Sequence, residues 1–335
     1  MKKKRSFFKK IPVIVTIAIT GLSAVFAGGC TTDDKSVQNE VYIDNISKIE
    51  IGSNLPELSA CIGDTDTVLD ILLENIKDDY TQKFILYISG IDVWGGTDTV
   101  SRSDVNLLLA VNRTDGKIQI VNTPRDSYVF LPDSGVMRDK LTHAGLYGVE
   151  CSKGTLEKLY GIKIDYYLRL NFLGFEKFID SMGGIDVYSE QDFTVDPIKH
   201  YKKGMNHLTG LESLAFVRER KSFKDGDYQR GRHQMEMVKA VIRELSSVKA
   251  LTKLKEYLTE VDDYYRTDIP NDLIKSIAQT ELVKQTDWDF ETYTTYGTGS
   301  SERTYSMPSQ SVYVTLLDES DIKEASEMLN KTIDR

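Results

Sequence analysis

Cysteine is scarce in this chain. Three residues, Cys30, Cys61 and Cys151, are too few for a disulfide framework. The four histidines, His143, His200, His207 and His233, show no zinc-ligand spacing. Proline is rare, with 7 in 335 residues, and no Pro/Gly-rich linker splits residues 80–330. Repeats and low-complexity tracts are missing, which excludes solenoids and disordered scaffolds. There is no Gly-x-Ser-x-Gly elbow, no phosphate loop ending in Lys-Ser/Thr, no His-Glu-x-x-His and no dinucleotide fingerprint, so the common hydrolase, nucleotidase, zinc-protease and dehydrogenase signatures are absent. Positive charge is in deficit, at 42 Lys and Arg against 51 Asp and Glu. Lys2, Lys3, Lys4, Arg5, Lys9 and Lys10 sit in the first ten residues, so the body is more acidic than the net −9 of the whole. A nucleic-acid binder needs a broad basic face to displace counterions, and no nucleic-acid partner is expected.

What is present begins with a membrane signal. Residues 1–10 form a basic segment, and residues 11–29, IPVIVTIAITGLSAVFAGG, carry no charge. That stretch is close to the ~20 apolar residues that span a bilayer core. The positive-inside bias keeps the basic segment in the cytoplasm and puts Cys30 onward outside. An uncleaved signal anchor is the leading reading, with plain secretion a third. Lipidation of Cys30 after Ala27-Gly28-Gly29 is its rival, although the usual large aliphatic residue three places before the cysteine is missing. Residues 30–79 read as an extracellular stalk with a small irregular region, and residues 80–335 as the functional domain. In an oxidising exterior Cys61 and Cys151 could pair, or remain two half-buried thiols.

Along the body, helical and strand patterns alternate. Thr67–Lys77 has helical spacing. Lys83–Gly90 and Asp104–Val111 are short apolar runs that read as buried strands. Thr114-Asp115-Gly116 is a turn signal, and Lys117–Thr123 alternates as the second arm of a hairpin should. A helix is expected to end over 155–160, stopped by Gly161, and further helices at 172–182, 209–216, 227–245, 250–260, 271–284 and 319–331. Further strands are expected at 162–170, 290–297 and 311–317, and Val217–Arg220 as an extended segment. The pattern implies an α/β protein with a sheet covered by helices on both faces.

The chemistry-bearing residues fall at segment ends. Asp92 follows the first strand, and Arg102 and Asp104 are two apart, on one side of an extended backbone. Two aspartates beside an arginine suit a divalent cation with an anion; each aspartate alone also reads as a solvated strand end. Arg125 follows Pro124 in a loop beyond a strand, a common ligand position. In FVRER, Arg218 and Arg220 on an extended segment form a clamp for an oligo-anion such as pyrophosphate, unless surface carboxylates simply neutralise them. In DGDYQRGRHQMEMVKAVIREL, the residues Asp227, Arg230, Gln234, Val238, Val241 and Leu245 form one helical stripe, polar at its start and apolar at its end. Such a stripe faces a polar hole first and the core later, or else its first turns are frayed and solvated. A single focused positive cavity in an acidic body is the economical account of Arg102, Arg125, Arg218, Arg220 and Arg230.

These segments together resemble the LytR-CpsA-Psr family, and within it the capsule-type CpsA proteins. The shared text is FILYISGID, SRSDVN, TPRDSYV, KLTHAGLYGVE, YGIKIDYY, GGIDVY, FVRER, GDYQRGRHQ and YSMPSQSVY, in order over about residues 80–335. The resemblance implies an α/β/α sandwich with a central mixed sheet, on one N-terminal membrane anchor. It implies an extracytoplasmic phosphotransferase that moves a polysaccharide phosphate from an undecaprenyl-pyrophosphate carrier to peptidoglycan, in capsule, exopolysaccharide or teichoic acid attachment. The lipid tail would lie in an apolar tunnel. Asp92 and Asp104 would hold Mg²⁺ (or Mn²⁺), and with Arg125, Arg218 and Arg220 would act on the pyrophosphate. Arg102, Lys140, Asp227, Arg230 and Gln234 would bind substrate. Many relatives carry Arg where this chain has His233, so one head-group contact is expected to be lost or pH-dependent. The competing readings are a transcriptional regulator, against which the external body and the missing basic helix-turn-helix count, and a lipid-linked glycan binder without turnover. A pyrophosphatase side activity would use water as acceptor.

Overall fold

The computed structural model describes residues 82–93, 100–132 and 134–334. The expected membrane segment, Cys30, Cys61, the stalk and the helix at Thr67–Lys77 lie outside the described residues. Among the described residues, no helix is long and apolar enough to cross a membrane.

The main sheet has six strands: β1 (Lys83–Ile91), β2 (Ser103–Asn112), β3 (Lys117–Asn122), β4 (Tyr166–Asn171), β5 (Tyr265–Thr267) and β6 (Asp289–Thr294). Their order is β5-β4-β1-β2-β3-β6. Pairs β1–β2, β2–β3 and β4–β5 are antiparallel, while β1–β4 and β3–β6 are parallel, so the sheet is mixed. The expected hairpin is β2–β3, with Asn112 opposite Lys117. Its turn is built locally. Asn112 and Asp115 exchange two hydrogen bonds, at 2.9 and 3.1 Å, and Gly116 takes the left-handed φ of 64° that a side chain would resist.

Strand parity separates two interiors. Ile85 and Tyr87 of β1 pair with Ala110 and Leu108 of β2 and point to one face. There they meet Leu156 and Tyr160 of α1 (Val149–Tyr160) and Ala325, Leu329 and Ile333 of the C-terminal helix (Glu319–Ile333). Phe84 pairs with Val111 and Leu86 with Leu109, and these point to the opposite face. Between α1 and the C-terminal helix come α2 (Phe172–Ser181), α3 (Gly210–Arg218), α4 (Gly226–Leu245), α5 (Val248–Glu260) and α6 (Asn271–Lys284); the C-terminal helix is α7. Met235, Val238 and Ile242 of α4 and Ile277 of α6 cover the second face. A third apolar cluster joins α2, α3, α4 and α5 to two nested hairpins, Ile185–Ser189 with Gly204–Leu208 and Phe193–Val195 with Lys199–Tyr201.

The helix ends follow local rules. The α1 helix stops at Gly161, whose left-handed backbone donates to Glu157 O. The α2 helix is capped by the Asn171 side chain, which accepts from Gly174 N at 2.8 Å. Thr209 and Glu212 form a capping box at the start of α3. That helix runs through Arg218 and only Glu219 turns extended, so FVRER is not one extended segment as the alternation suggested. The strand expected at 162–170 starts only at Tyr166.

Candidate active site

A cavity of about 660 Å³ lies against the second face of the sheet, between it and α4, α5 and α6. Its wall is mostly hydrocarbon, from Leu86, Leu109, Leu170, Phe175, Val241 and Leu254 among others. Asp92, Asp104, Arg125, Arg218, Arg220, Arg230 and Gln234 also line it. These residues come from five separate stretches of chain.

A β-bulge aims Asp104. Gly90 pairs with Val105, but Ile91 pairs with Ser103, so Asp104 is the extra residue on β2. Without the slip, strand parity would turn Asp104 toward the face of Asn106 and Leu108. With it, Ser103 takes that direction and hydrogen-bonds Tyr87 and Ser89, while Asp104 reaches the cavity. Gly90 is needed beside the bulge, because a Cβ there would lie 2.7 Å from a Val105 methyl. Arg102 precedes β2, is exposed, and does not line the cavity.

Asp104 is held by two groups. Arg125 Nη1 lies 3.0 Å from Oδ2, and Thr142 Oγ1 donates to Oδ1 at 3.1 Å. Thr142 carries no charge and sits in a single helical turn, and the sequence reading passed over it. Lys140 does not line the cavity; its ammonium bonds Asp126 at 2.8 Å, and Asp126 lies 3.8 Å from Arg125 Nε. Burial pulls the Arg125 pKa down, but Asp104 and Asp126 outweigh it and the net shift is upward. Asp92 lies just past β1, is exposed at the cavity wall, and forms no ion pair among the described residues.

The stripe on α4 faces this cavity as its spacing implied. Arg230 and Gln234 line the polar end, and Val238, Val241 and Leu245 line the apolar length. Asp227 stands behind them, 2.7 Å from Arg230 Nη2. Burial lowers the Arg230 pKa, Asp227 opposes, and Arg125 and Arg220 push it further down. Arg125 and Arg220 thus both repel Arg230, an arrangement that an oligo-anion relieves. Arg218 lies over the Phe172 ring at 4.3 Å. Gln234 donates to Val217 O at 3.3 Å, tying α4 to the end of α3.

Two glycines of the GDYQRG motif bring the parts together. A Cβ on Gly226 would lie 2.6 Å from Arg220 O, and one on Gly231 would lie 2.2 Å from Asn122 Nδ2. The first allows α4 to start against the arginine loop, and the second lets the Arg230 turn press on the end of β3. His233 points away from this site. Its ring is fully buried, stacked on Phe216 and on Phe193, with Nδ1 3.1 Å from Phe216 O. Burial pushes its pKa down to about 4. The expected pH-dependent head-group contact therefore has no counterpart here.

Among the described residues, no three His, Cys, Asp or Glu side chains gather as a metal site. Asp92 and Asp104 are two hard oxygen donors on one cavity wall. That donor set fits Mg²⁺, which binds through one or two carboxylates with phosphate oxygens and water completing its shell. Cys151 is half-buried on α1, and the pairing considered with Cys61 lies outside the described residues.

The chain matches the sequence pattern of the LytR_cpsA_psr family over residues 62–331. It is 32% identical over 200 residues to a Bacillus cereus polyisoprenyl-teichoic acid–peptidoglycan teichoic acid transferase, TagU. That alignment takes in 59% of this chain and 64% of the relative, just under two thirds of its length. The fold is similar to the crystal structure of B. subtilis TagV, at a TM-score of 0.64 and 25% identity, covering 76% of this chain and 98% of that one. It is also similar to TagT bound to LI-WTA, at a TM-score of 0.58 and 24% identity, covering 77% and 95%.

Proposed function

The chain belongs to the LytR-CpsA-Psr family, and from that premise we propose that it is a membrane-anchored, extracytoplasmic phosphotransferase. It takes a glycopolymer phosphate from an undecaprenyl-pyrophosphate carrier and joins it to peptidoglycan. The observation that carries this reading is one cavity with clustered guanidinium groups at one end and hydrocarbon along its length. An amphiphile with an oligo-anionic head and a long apolar tail matches both parts. The relatives named as teichoic acid transferases favour wall teichoic acid over capsule as the polymer.

In this reading the tail lies between β1, β2 and α4, and the pyrophosphate lies among Arg125, Arg218, Arg220 and Arg230. The acceptor hydroxyl oxygen attacks the phosphorus on the glycan side. A new P–O bond forms to the acceptor, the bond to the bridging oxygen breaks, and polyprenyl phosphate leaves. The arginines take up the charge that grows on the leaving phosphate. The acceptor's proton passes to a carboxylate of the Asp92 and Asp104 pair. The same pair would hold Mg²⁺, which would neutralise pyrophosphate charge. Asp227 and Gln234 position Arg230 and the end of α3, and Lys140 acts through Asp126 on Arg125. With water in place of the acceptor, the same chemistry is a pyrophosphatase.

The test is transfer from a synthetic polyprenyl-pyrophosphate-linked teichoic acid precursor to a peptidoglycan glycan, with Mg²⁺, followed by mass spectrometry. Loss of about a hundredfold in rate is expected for the Arg218→Ala/Arg220→Ala double variant. Unchanged transfer in that variant sinks the clamp, and a donor left intact by the wild-type protein favours a binder without turnover.

A further inference from the structure

The end of the cavity remote from Arg125, Arg218, Arg220 and Arg230 is also polar, and the proposed reaction has no use for it. The cavity follows β2 along its whole length. Asp104 lies at one end, Val105, Leu107, Leu109 and Val111 line the middle, and Arg113 stands just past the other end. Nine steps along a strand make about 30 Å. The α4 helix repeats the pattern, from Arg230 at the head to Ser246 beyond Leu245, about 24 Å at 1.5 Å per residue. Two elements on different walls thus agree on a channel that turns polar at both ends.

The far end is tightly built. Arg113 and Glu281 both line the cavity and are 7% and 5% exposed. Arg113 Nη2 lies 3.4 Å from Thr280 Oγ1 on α6. The Glu281 carboxylate accepts from Thr286 N at 3.1 Å and Thr286 Oγ1 at 2.8 Å. Trp288 lines the same end, and its buried Nε1 has no hydrogen-bond partner. Hydrocarbon packed against these groups leaves the Trp288 N–H unpaired and seals the Arg113 and Glu281 charges from water, so burial there gains less free energy than along the apolar length.

The geometry points to a chain-length stop: Arg113, Glu281 and Trp288 form a floor that fixes how much of a polyprenyl tail the channel takes. This rests on the tail reading given above. Each added isoprene unit strengthens binding until the tail meets the floor, and units beyond that add nothing. Ala278 lines the channel three residues before Glu281, on the same face of α6. A large side chain there raises the floor, and Trp288→Ala lowers it.

The experiment measures binding of farnesyl, heptaprenyl and undecaprenyl phosphate to the full chain in detergent, with Ala278→Trp and Trp288→Ala beside the wild type. Wild-type affinity should rise from farnesyl to heptaprenyl phosphate and then level off. Ala278→Trp should hold farnesyl phosphate within about twofold, which also shows that it is folded, and lose about tenfold on the longer lipids. Trp288→Ala should let undecaprenyl phosphate bind more tightly than heptaprenyl. Affinity that keeps climbing with length in every protein, or equal weakening of all three lipids by Ala278→Trp, overturns the stop and leaves the tail reading standing. No binding of any lipid to the wild type overturns both.

Discussion

Arg125 Nη1 sits 3.0 Å from Asp104 Oδ2, which joins the loop after β3 to the bulged start of β2. The two side chains are 20% and 13% exposed, so solvent screens the pair only in part. Removing the arginine leaves a largely buried carboxylate with Thr142 as its remaining partner. Arg125→Ala should cost about 2 kcal/mol of stability. Asp104→Asn in the same chain should restore part of it, because the orphaned charge is then gone. A double-mutant cycle by thermal denaturation checks this, and strictly additive effects would show that the pair is not coupled.

Gly226 stands where α4 begins against Arg220. Gly226→Ala puts a methyl group 2.6 Å from a backbone oxygen, so the arginine loop must move. The expected cost is about 1–3 kcal/mol in stability. Transfer should fall further than the melting temperature implies, since Arg220 lines the head-group end. Activity measured well below the melting temperature separates the two effects.

His233 makes the fold acid-sensitive. Its folded pKa is about 4, below the ordinary 6.5, so the unfolded chain takes up a proton that the folded chain refuses. The stabilisation is complete above pH 6.5 and is lost as the pH falls toward 4. It amounts to roughly 3 kcal/mol at most. Denaturant midpoints between pH 7 and 4 should drop less in His233→Phe than in the wild type. Parallel curves would show that the ring does not titrate in this window.

Asp139 is fully buried and fastens the segment that carries Thr142 to the C-terminal part of the chain. It accepts from His143 Nδ1 at 2.6 Å, from Ser306 N at 2.9 Å and from the Ser306 hydroxyl. Burial raises its pKa, but the bonds from His143 and Ser306 outweigh that and hold it below 3.8. Asp139→Ala should cost about 2–3 kcal/mol by leaving buried donors unpaired. Hydrogen exchange should quicken at Ser306 N, and unchanged protection there counts against the clasp.

How much was legible depends on what each signal encodes. The β2–β3 hairpin and the α4 stripe were readable because side-chain period and a turn glycine lie in the local sequence. The cation cluster was readable because arginines at strand and helix ends are unusual in an acidic body. The bulge was not, since Ser103-Asp104-Val105 looks like any strand start until its partner is known. Arg102 and Asp104 share a side of any extended chain, and Thr142 carries no charge that would single it out in the sequence. The strand Gly297–Arg303, GTGSSER, has weak β character and takes its form from pairing with Ser311–Leu317. FVRER alternates like a strand, but the capping box at Thr209 starts a helix that carries on through Arg218.

The alternation along β1 and β2 has one more consequence. Neighbouring positions on a strand answer to different demands: Ile85 and Tyr87 pack in the closed layer, while Leu86 and Ile88 also line the hollow. Volume can be traded at the second set with little disturbance to the first. A lineage could therefore retune which greasy molecule it accommodates by small swaps at every other residue, without first having to shore up its scaffold.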